Sequence, residues 1–528
     1  MKMIYKVICW TVSVSLLTSC GQKFLDVTPT DKLSDMTFWK SEKDADMALA
    51  GIYNKWEDQT NLLWWDLMTD NGYSQYAWDN VQVIGNGQAN ASNFGKEYFN
   101  YTSIRKYNQF LEKVPQIEMN AQKKERYLAE ARFLRAYDFF RKIQFYGDVP
   151  LVTEVIALPE EAKIGRTPKA EVLSFVLSEL EAVSKILPVQ NMRQSGGHIT
   201  SGAALALKAR LELYEGKFAD AMSDSKKVMD MAKTGVYTLY PDYFGLFQVA
   251  NESANNESVL EIVYIKDTYA NTLWQNILPS KEGGWSSISA VQSIVDAYEM
   301  KDGKTLTEST LYNADKPFEN RDPRLAQTIL YSGARYNGRY FNTLDLSSPD
   351  FYQSASAPKS GYNVLKYTTI VPEASLNNGD ANVMVIRLAE VLLTYAEAAI
   401  ESGLMTADVY DAIDQVRLRA KMPAVDRAVY NTQAKLRELI RRERRVELAF
   451  EGLRYWDIKR WDIGATALNG PVYGSRLGTV NGETGVVTWS ANRIKVEDRV
   501  FQAARKYLLP IPQAELDANS AVKQNAGY

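Results

Sequence analysis

The chain has 528 residues, 46% of them hydrophobic, with 61 Lys and Arg against 64 Asp and Glu for a net charge of −3. That balance leaves no basic excess to neutralise a phosphate backbone, so nucleic acid is not expected as a partner. Two cysteines and one histidine rule out a disulfide framework and a two-histidine zinc site; the length allows two or three domains, held by a large hydrophobic core.

The first element is a leader. Lys2 and Lys6 make a positive start, and an apolar run over 7–17 comes next, too short to span a bilayer as a helix of ~20 residues. Small residues Thr18 and Ser19 then precede Cys20 in SLLTSCGQKFLD. The order Leu17-Thr18-Ser19-Cys20 looks like a bacterial lipobox, in which the cysteine sulfur is diacylated and the new N-terminus is usually acylated too. Cys9 would leave with residues 1–19, and Cys20 would carry lipid. Several acyl chains at ~0.8 kcal/mol per buried CH2 make a firm anchor. No second apolar run approaches transmembrane length, so the body is expected to be tethered, not inserted.

Beyond the leader, helices dominate. SEKDADMALAGIYNKW (41–56) opens with Ser and acidic residues suited to a helix start and puts Ala45, Ala48, Leu49, Ile52 and Tyr53 on one face. ERYLAEARFLRAYDFFRKIQF (125–145) repeats the pattern and stops at Gly147, with Pro150 beyond. Residues 201–230 carry small residues Ala203, Ala206 and Ala209, a break at Gly216, and a second run from Phe218 and Ala221. This looks like a tetratricopeptide helix-turn-helix, and 387–420, turning at Gly403, like a second, with plain helical hairpins in a bundle as the alternative. Such pairs bury their apolar faces only by stacking on neighbours.

Between these runs, residues 61–100, 240–305, 317–382 and 464–499 are rich in Gly, Asn, Ser, Asp and aromatics and read as long loops, with a strand candidate at 258–265. Loops this long in a compact protein are usually functional. The expected fold is therefore mainly α: a tetratricopeptide-like helical-pair scaffold with long irregular loops and a few short strands.

Catalytic equipment is sparse. The single His198 sits just before a helix that Thr200 or Ser201 could cap, and no phosphate-binding loop, dinucleotide turn or nucleophile elbow occurs. A glycosidase carboxylate pair 5–10 Å apart is not excluded by sequence. Aromatics are the stronger signal, with 31 Tyr and 11 Trp. NLLWWDLMTDNGYSQYAWDN (61–80) and YIKDTYANTLWQNILPSKEGGWSSIS (264–289) put Tyr73, Tyr76, Trp78, Trp274 and Trp285 among polar residues. An exposed flat ring suits the apolar C–H face of a pyranose, and each could add ~0.5–1.5 kcal/mol beyond area burial. These five are the candidate ligand-binding residues; no catalytic or metal-ligating residue and no cofactor is assigned. Trp64 and Trp65, behind Leu62 and Leu63, are expected to pack inside. In LRELIRRERRVELAFEGLRYWDIKRW (436–461), Glu443 and Glu447 share a helix face among arginines. Arg–Glu pairing between helices is the plain reading of that stretch, and a polyanion site the other.

Several stretches together carry a resemblance: the acylation site with FLDVTPTDKLSDMTFWKSEKDADMALAGIY, EARFLRAYDFFRKIQFYGDVPLV, VIRLAEVLLTYAEAA, IRRERRVELAFEGLRYWDIKRW, and the terminal YLLPIPQAELDANSAVKQNAGY. With these, the chain resembles the SusD/RagB family of nutrient-binding outer-membrane lipoproteins of Bacteroidetes, departing from its closing pattern only in having Ala526 where proline is usual. The resemblance implies a signal peptide at 1–19 and one SusD-like domain over 20–528, with an N-terminal half at about 20–240 and a C-terminal half at about 260–528. It implies a position at the outer membrane, lipid-anchored at Cys20 and facing the exterior, as the lid of a SusC-like TonB-dependent transporter. A glycan ligand and no enzymatic activity are also implied, though some members handle peptides. Of the functional residues only Cys20 carries over from family motifs. A surface glycoside hydrolase is the competing class, and a lack of paired carboxylates in the aromatic loops would count against it.

Overall fold

The structure, a computed structural model, describes residues 38–93 and 96–528; the lipobox and Cys20 lie outside the described residues. In chain order the main helices are α1 (Glu42–Tyr53), α2 (Thr102–Lys113), α3 (Ala121–Tyr146), α4 (Lys169–Ser184), α5 (Ser201–Tyr214), α6 (Phe218–Lys233), α7 (Leu388–Glu401), α8 (Ala407–Arg419), α9 (Gln433–Glu447) and α10 (Arg454–Arg460). Their ends obey the local chemistry. Ser41 and Asp44 form a reciprocal capping box on α1, Asn120 caps α3, and α3 stops at Gly147 with φ +73°. Thr200 accepts from the Ala203 amide at the start of α5, so His198 precedes a capped helix as expected.

The helices stack in succession, α2 on α3, α3 on α4, α4 on α5 and α5 on α6; then α6 packs on α7, and α7 on both α8 and α9. The two hairpins read from sequence, α5–α6 and α7–α8, thus become neighbours although the long loops lie between them. Leu213, Ala221 and Ala398, one from each of α5, α6 and α7, are buried together, and the small side chains permit that approach. The turns need left-handed backbone, at Gly216 (φ +70°) and Gly403 (φ +78°). The main core runs continuously from Ala45 to Val522.

Besides a two-residue hairpin of Arg335–Tyr336 with Arg339–Tyr340, the strands are short except for one pair: β1 (Gly72–Ser74), β2 (Ser258–Ile262), β3 (Ile288–Ala290), β4 (Ile329–Leu330), β5 (Asn363–Val364), β6 (Val383–Arg387), β7 (Gly470–Val480) and β8 (Val487–Arg499). A four-stranded antiparallel sheet runs in the order β1-β3-β5-β4, with Tyr73 opposite Ser289, Ser289 opposite Asn363 and Ile329 opposite Val364. Its strands come from the three long loops at 61–100, 240–305 and 317–382, so one sheet ties all three together. β2 pairs with β6, which leads straight into α7.

Residues 464–499, read from sequence as a loop, are corrected: most of them form the β7–β8 hairpin. Its ladder shifts register between Trp489 and Arg493, between Arg493 and Lys495 and between Lys495 and Glu497, and both strands are largely half-exposed or exposed, so no clean two-residue alternation reaches the sequence.

Residues 436–461 also divide. After α9 the chain takes left-handed turns at Phe450 and Gly452, and a Cβ at Gly452 would sit 2.4 Å from the Leu62 carbonyl oxygen. The charges here are paired. Arg324 binds Glu443 (2.6 Å) and Glu447 (2.8 Å), Arg417 binds Glu443 (2.7 Å), and Arg387 binds Glu447 (2.6 Å) and Glu451 (2.7 Å), all buried. Arg441, Arg442, Arg444 and Arg445 each face a carboxylate, of Glu401, Glu299, Glu397 and Asp70 respectively. Pairing between elements, not a polyanion site, accounts for the stretch. Burial alone would raise the Glu447 carboxyl, but Arg419, Arg387 and Arg324 outweigh it and hold the carboxyl far below the usual range.

Candidate functional site

The aromatic residues singled out in the sequence separate into two groups. Trp274 is a correction. It lies in a short helical turn (Leu273–Ile277) whose neighbours Leu273 and Ile277 point into the core, and the indole goes with them to 4% exposure, so it offers no face to a ligand. Trp64 and Trp65 are buried as expected. Trp78 is 70% exposed and Trp285 45% exposed, and Tyr76, half-buried, shares the loop of Trp78.

The rings are held from behind. Tyr76 stacks on Trp78 with centroids 4.3 Å apart and planes 18° from parallel, leaving the other face of the Trp78 ring open. The Tyr76 hydroxyl reaches the Trp285 carbonyl (3.1 Å) and the Ala355 carbonyl (3.4 Å) with its one hydrogen, and Gln75 Nε2 donates to the same Trp285 carbonyl at 2.8 Å. Trp285 itself is presented by a tight loop. Its amide donates to the Gln275 carbonyl at 2.7 Å, and a Cβ at the preceding Gly284 would come within 2.0 Å of the Leu278 carbonyl oxygen. Only glycine permits that approach. Tyr73 is half-buried on β1, its hydroxyl accepting from Gln82 Nε2 at 3.3 Å, and burial raises its pKa.

The third long loop completes the floor. The Lys359 amide donates to Gln75 Oε1 (3.4 Å), and Lys359 Nζ donates to the Ser354 carbonyl (2.6 Å), with burial lowering its pKa. A cavity of about 190 Å³ is lined by Trp78 together with Asn61, Trp64, Asp79, Asn80 and Tyr98. Asp79 accepts from Ser74 Oγ at 2.8 Å, and burial raises its carboxyl pKa. Gln75, Asp79 and Lys359 were not among the residues chosen from sequence. Gln75 and Asp79 adjoin the aromatic run and could have been chosen on that ground. Lys359 carries no local signal, since only the fold brings it to Gln75.

Two acidic residues of the aromatic loops meet nearby, Glu282 and Asp350, and both bind Arg339, at 2.9 and 2.7 Å. Their side chains are almost wholly buried and point into the loop packing. The arrangement can lay a flat apolar face against a ligand and surround it with amide, hydroxyl and ammonium groups. Among the described residues no group of His, Cys, Asp and Glu could hold a metal ion, and no helix is long and apolar enough to cross a membrane.

Comparison with known proteins agrees with this architecture. A family model described as "SusD family" matches residues 246–528, and one described as "Starch-binding associating with outer membrane" matches residues 23–213. SusD-like protein P38 of Formosa agariphila is 26% identical over 493 residues, covering 88% of this chain and 92% of that protein. Starch-binding protein SusD of Bacteroides thetaiotaomicron is 25% identical over 468 residues, covering 80% and 76%. Among solved structures, a SusD-like carbohydrate-binding protein of Bacteroides fragilis superposes with a TM-score of 0.81 at 30% identity, covering 92% of this chain and all of that one. A laminarin-binding SusD-like protein superposes with a TM-score of 0.69 at 23% identity, a likeness of fold.

Proposed function

The chain belongs to the SusD family, and from that premise we propose that it is a non-catalytic glycan-binding lipoprotein of the outer membrane that captures oligosaccharide and passes it to a SusC-like TonB-dependent transporter. The observation that carries the reading is the open face of Trp78, backed by Tyr76 and set beside Trp285 on loops that one sheet ties together. A large ring left in water is unfavourable unless a ligand or partner covers it, and a sugar's C–H face is of matching shape and polarity. The names of the relatives point the same way, with starch binding for the Bacteroides thetaiotaomicron protein and carbohydrate binding for the Bacteroides fragilis one.

Binding without hydrolysis is supported by the state of Glu282 and Asp350. Both are tied to Arg339 and turned inward, whereas a glycosidase needs one carboxyl free to protonate the leaving oxygen and another facing the sugar. Anchoring rests on the lipobox. Residues 1–19 are assigned as leader, and the single domain from Cys20 to the end hangs from its lipid. The test is calorimetry of the lipid-free protein against a polysaccharide panel, with Trp78→Ala and Trp285→Ala run beside the parent. A ligand bound by the parent and lost with either ring is expected. A ligand bound equally by all three refutes the stacking site, and release of reducing sugar from it refutes the non-catalytic reading. Mild detergent extraction of outer membranes should bring down a TonB-dependent partner, and Cys20→Ala should leave the exported protein off the membrane when that partner is absent.

A further inference from the structure

At the far end of β3 from Trp285, a cavity of about 630 Å³ opens between the β7–β8 hairpin and residues 291–296, within the usual range for a small-molecule site. Tyr473, 41% exposed, forms one wall, and Arg493 another. Three guanidinium groups line the space, Arg454, Arg493 and Arg499, against two carboxylates, Asp70 and Asp296. Most of this charge is already matched. Asp70 is shared by Arg454 (2.8 Å) and Arg445 (3.0 Å), and Arg499 binds Glu497 (2.6 Å). Asp296 accepts from Gln292 Nε2 at 2.8 Å.

Arg493 is different. Its guanidinium has no hydrogen-bond or ion-pair partner among the described residues, and the residue across the ladder from it is Arg476, so no cross-strand carboxylate compensates it. Register shifts flank it on both sides, and irregularities of this kind re-aim side chains next to functional sites. An unpaired guanidinium fits a planar carboxylate or a sulfate by two parallel hydrogen bonds. The Asp296 carboxylate can accept from a hydroxyl but would repel a bare anion, and the Tyr473 ring offers a sugar-sized apolar face.

We propose that this cavity is a second glycan site, specific for an acidic sugar unit whose carboxylate or sulfate binds Arg493 while a ring hydroxyl donates to Asp296. The inference rests on the reading of the chain as glycan-binding but uses none of the residues at Trp78 and Trp285.

The test is calorimetry of the full lipid-free chain with three probes of matched length: an oligogalacturonide, a sulfated galactan oligosaccharide and a neutral galacto-oligosaccharide. At least one acidic probe should bind roughly 10-fold or more tightly than the neutral one, since a charge-assisted bidentate contact commonly contributes that much. The preference should fall with added salt, disappear in Arg493→Gln with an unchanged melting temperature, weaken in Tyr473→Ala, and survive in Trp285→Ala. Acidic probes that bind no better than the neutral one, or a preference that Arg493→Gln retains, overturn the inference. In either case neutral-glycan binding that depends on Trp78 and Trp285 would still stand. The acidic probe that responds to Arg493→Gln identifies whether the carboxylate or the sulfate is bound.

Discussion

The seam around α9 and the surface at Trp78 and Trp285 invert the usual partition of residues in opposite directions. Along α9, Arg324, Arg387, Glu443 and Glu447 are charged and fully buried, whereas at the loop surface two tryptophans are left in water. The seam satisfies every charge with a partner of opposite sign, so its members act together. The aromatic surface has only a backing ring and a few hydrogen bonds, so its outer face is unsatisfied until something binds. Buried polarity that is closed upon itself is scaffold, and exposed apolarity that is held rigid from behind is what we propose as the recognition surface.

Breaking the seam should have the largest effect. Glu447→Gln would leave Arg324, Arg387 and Arg419 sharing a neutral amide, and a loss of ~3–5 kcal/mol of stability is expected from an uncompensated buried charge. Urea denaturation reads it, and a variant as stable as the parent would mean the seam is not cooperative. Next comes the tryptophan that lies on the scaffold side of the divide. Trp274→Ala should cost about 3 kcal/mol through the cavity left behind, with glycan affinity of the folded protein unchanged. Lost affinity without lost stability would move Trp274 to the other region.

The joint between the regions should respond to pH. Asp66 lies in the aromatic loop, accepts from the Gly452 amide (3.2 Å) beyond α9 and from Asn71 Nδ2 (3.2 Å), and burial pushes its carboxyl up to about 7. Unfolded, the group ionises near its ordinary value of about 3.9. Between those values the folded chain holds more protons, so this group's contribution to stability declines as pH rises from about 4 to about 7 and is level above. Stability of the parent relative to Asp66→Asn should therefore fall over that window, by on the order of 4 kcal/mol. A constant difference between pH 4.5 and 7.5 would show that the carboxyl is not held neutral. The smallest effect on the fold belongs to the exposed rings. Trp78→Ala or Trp285→Ala should lower affinity for a bound neutral glycan by ~1–3 kcal/mol, about 5- to 150-fold, while moving the melting temperature little.

The scaffold is legible in the sequence because a helix repeats its chemistry every turn. Ala203, Ala206 and Ala209 mark a close approach, Gly216 and Gly403 mark turns, and Glu443 and Glu447 one turn apart foretell shared arginine partners. The site is less legible. Trp78 and Trp274 sit in similar polar company, and only the apolar pair Leu273 and Ile277, four residues apart, hints that one of them turns inward. The sheet that gathers the loops uses strands of two or three residues, too short for a period, and its pairings join positions such as Tyr73 and Ser289 that carry no local sign of each other. The β7–β8 hairpin hides for a related reason, its alternation interrupted where the ladder shifts.

That small sheet also sets how the surface can be altered by design. Because β1, β3, β5 and β4 come from three separate segments, a loop taken from a relative brings binding residues into place only if its strand keeps register with partners supplied by the other two. Grafts between relatives should therefore exchange the stretches outside residues 72–74, 288–290, 329–330 and 363–364 and leave those residues in place, so that the sheet serves as a fixed socket for interchangeable binding loops.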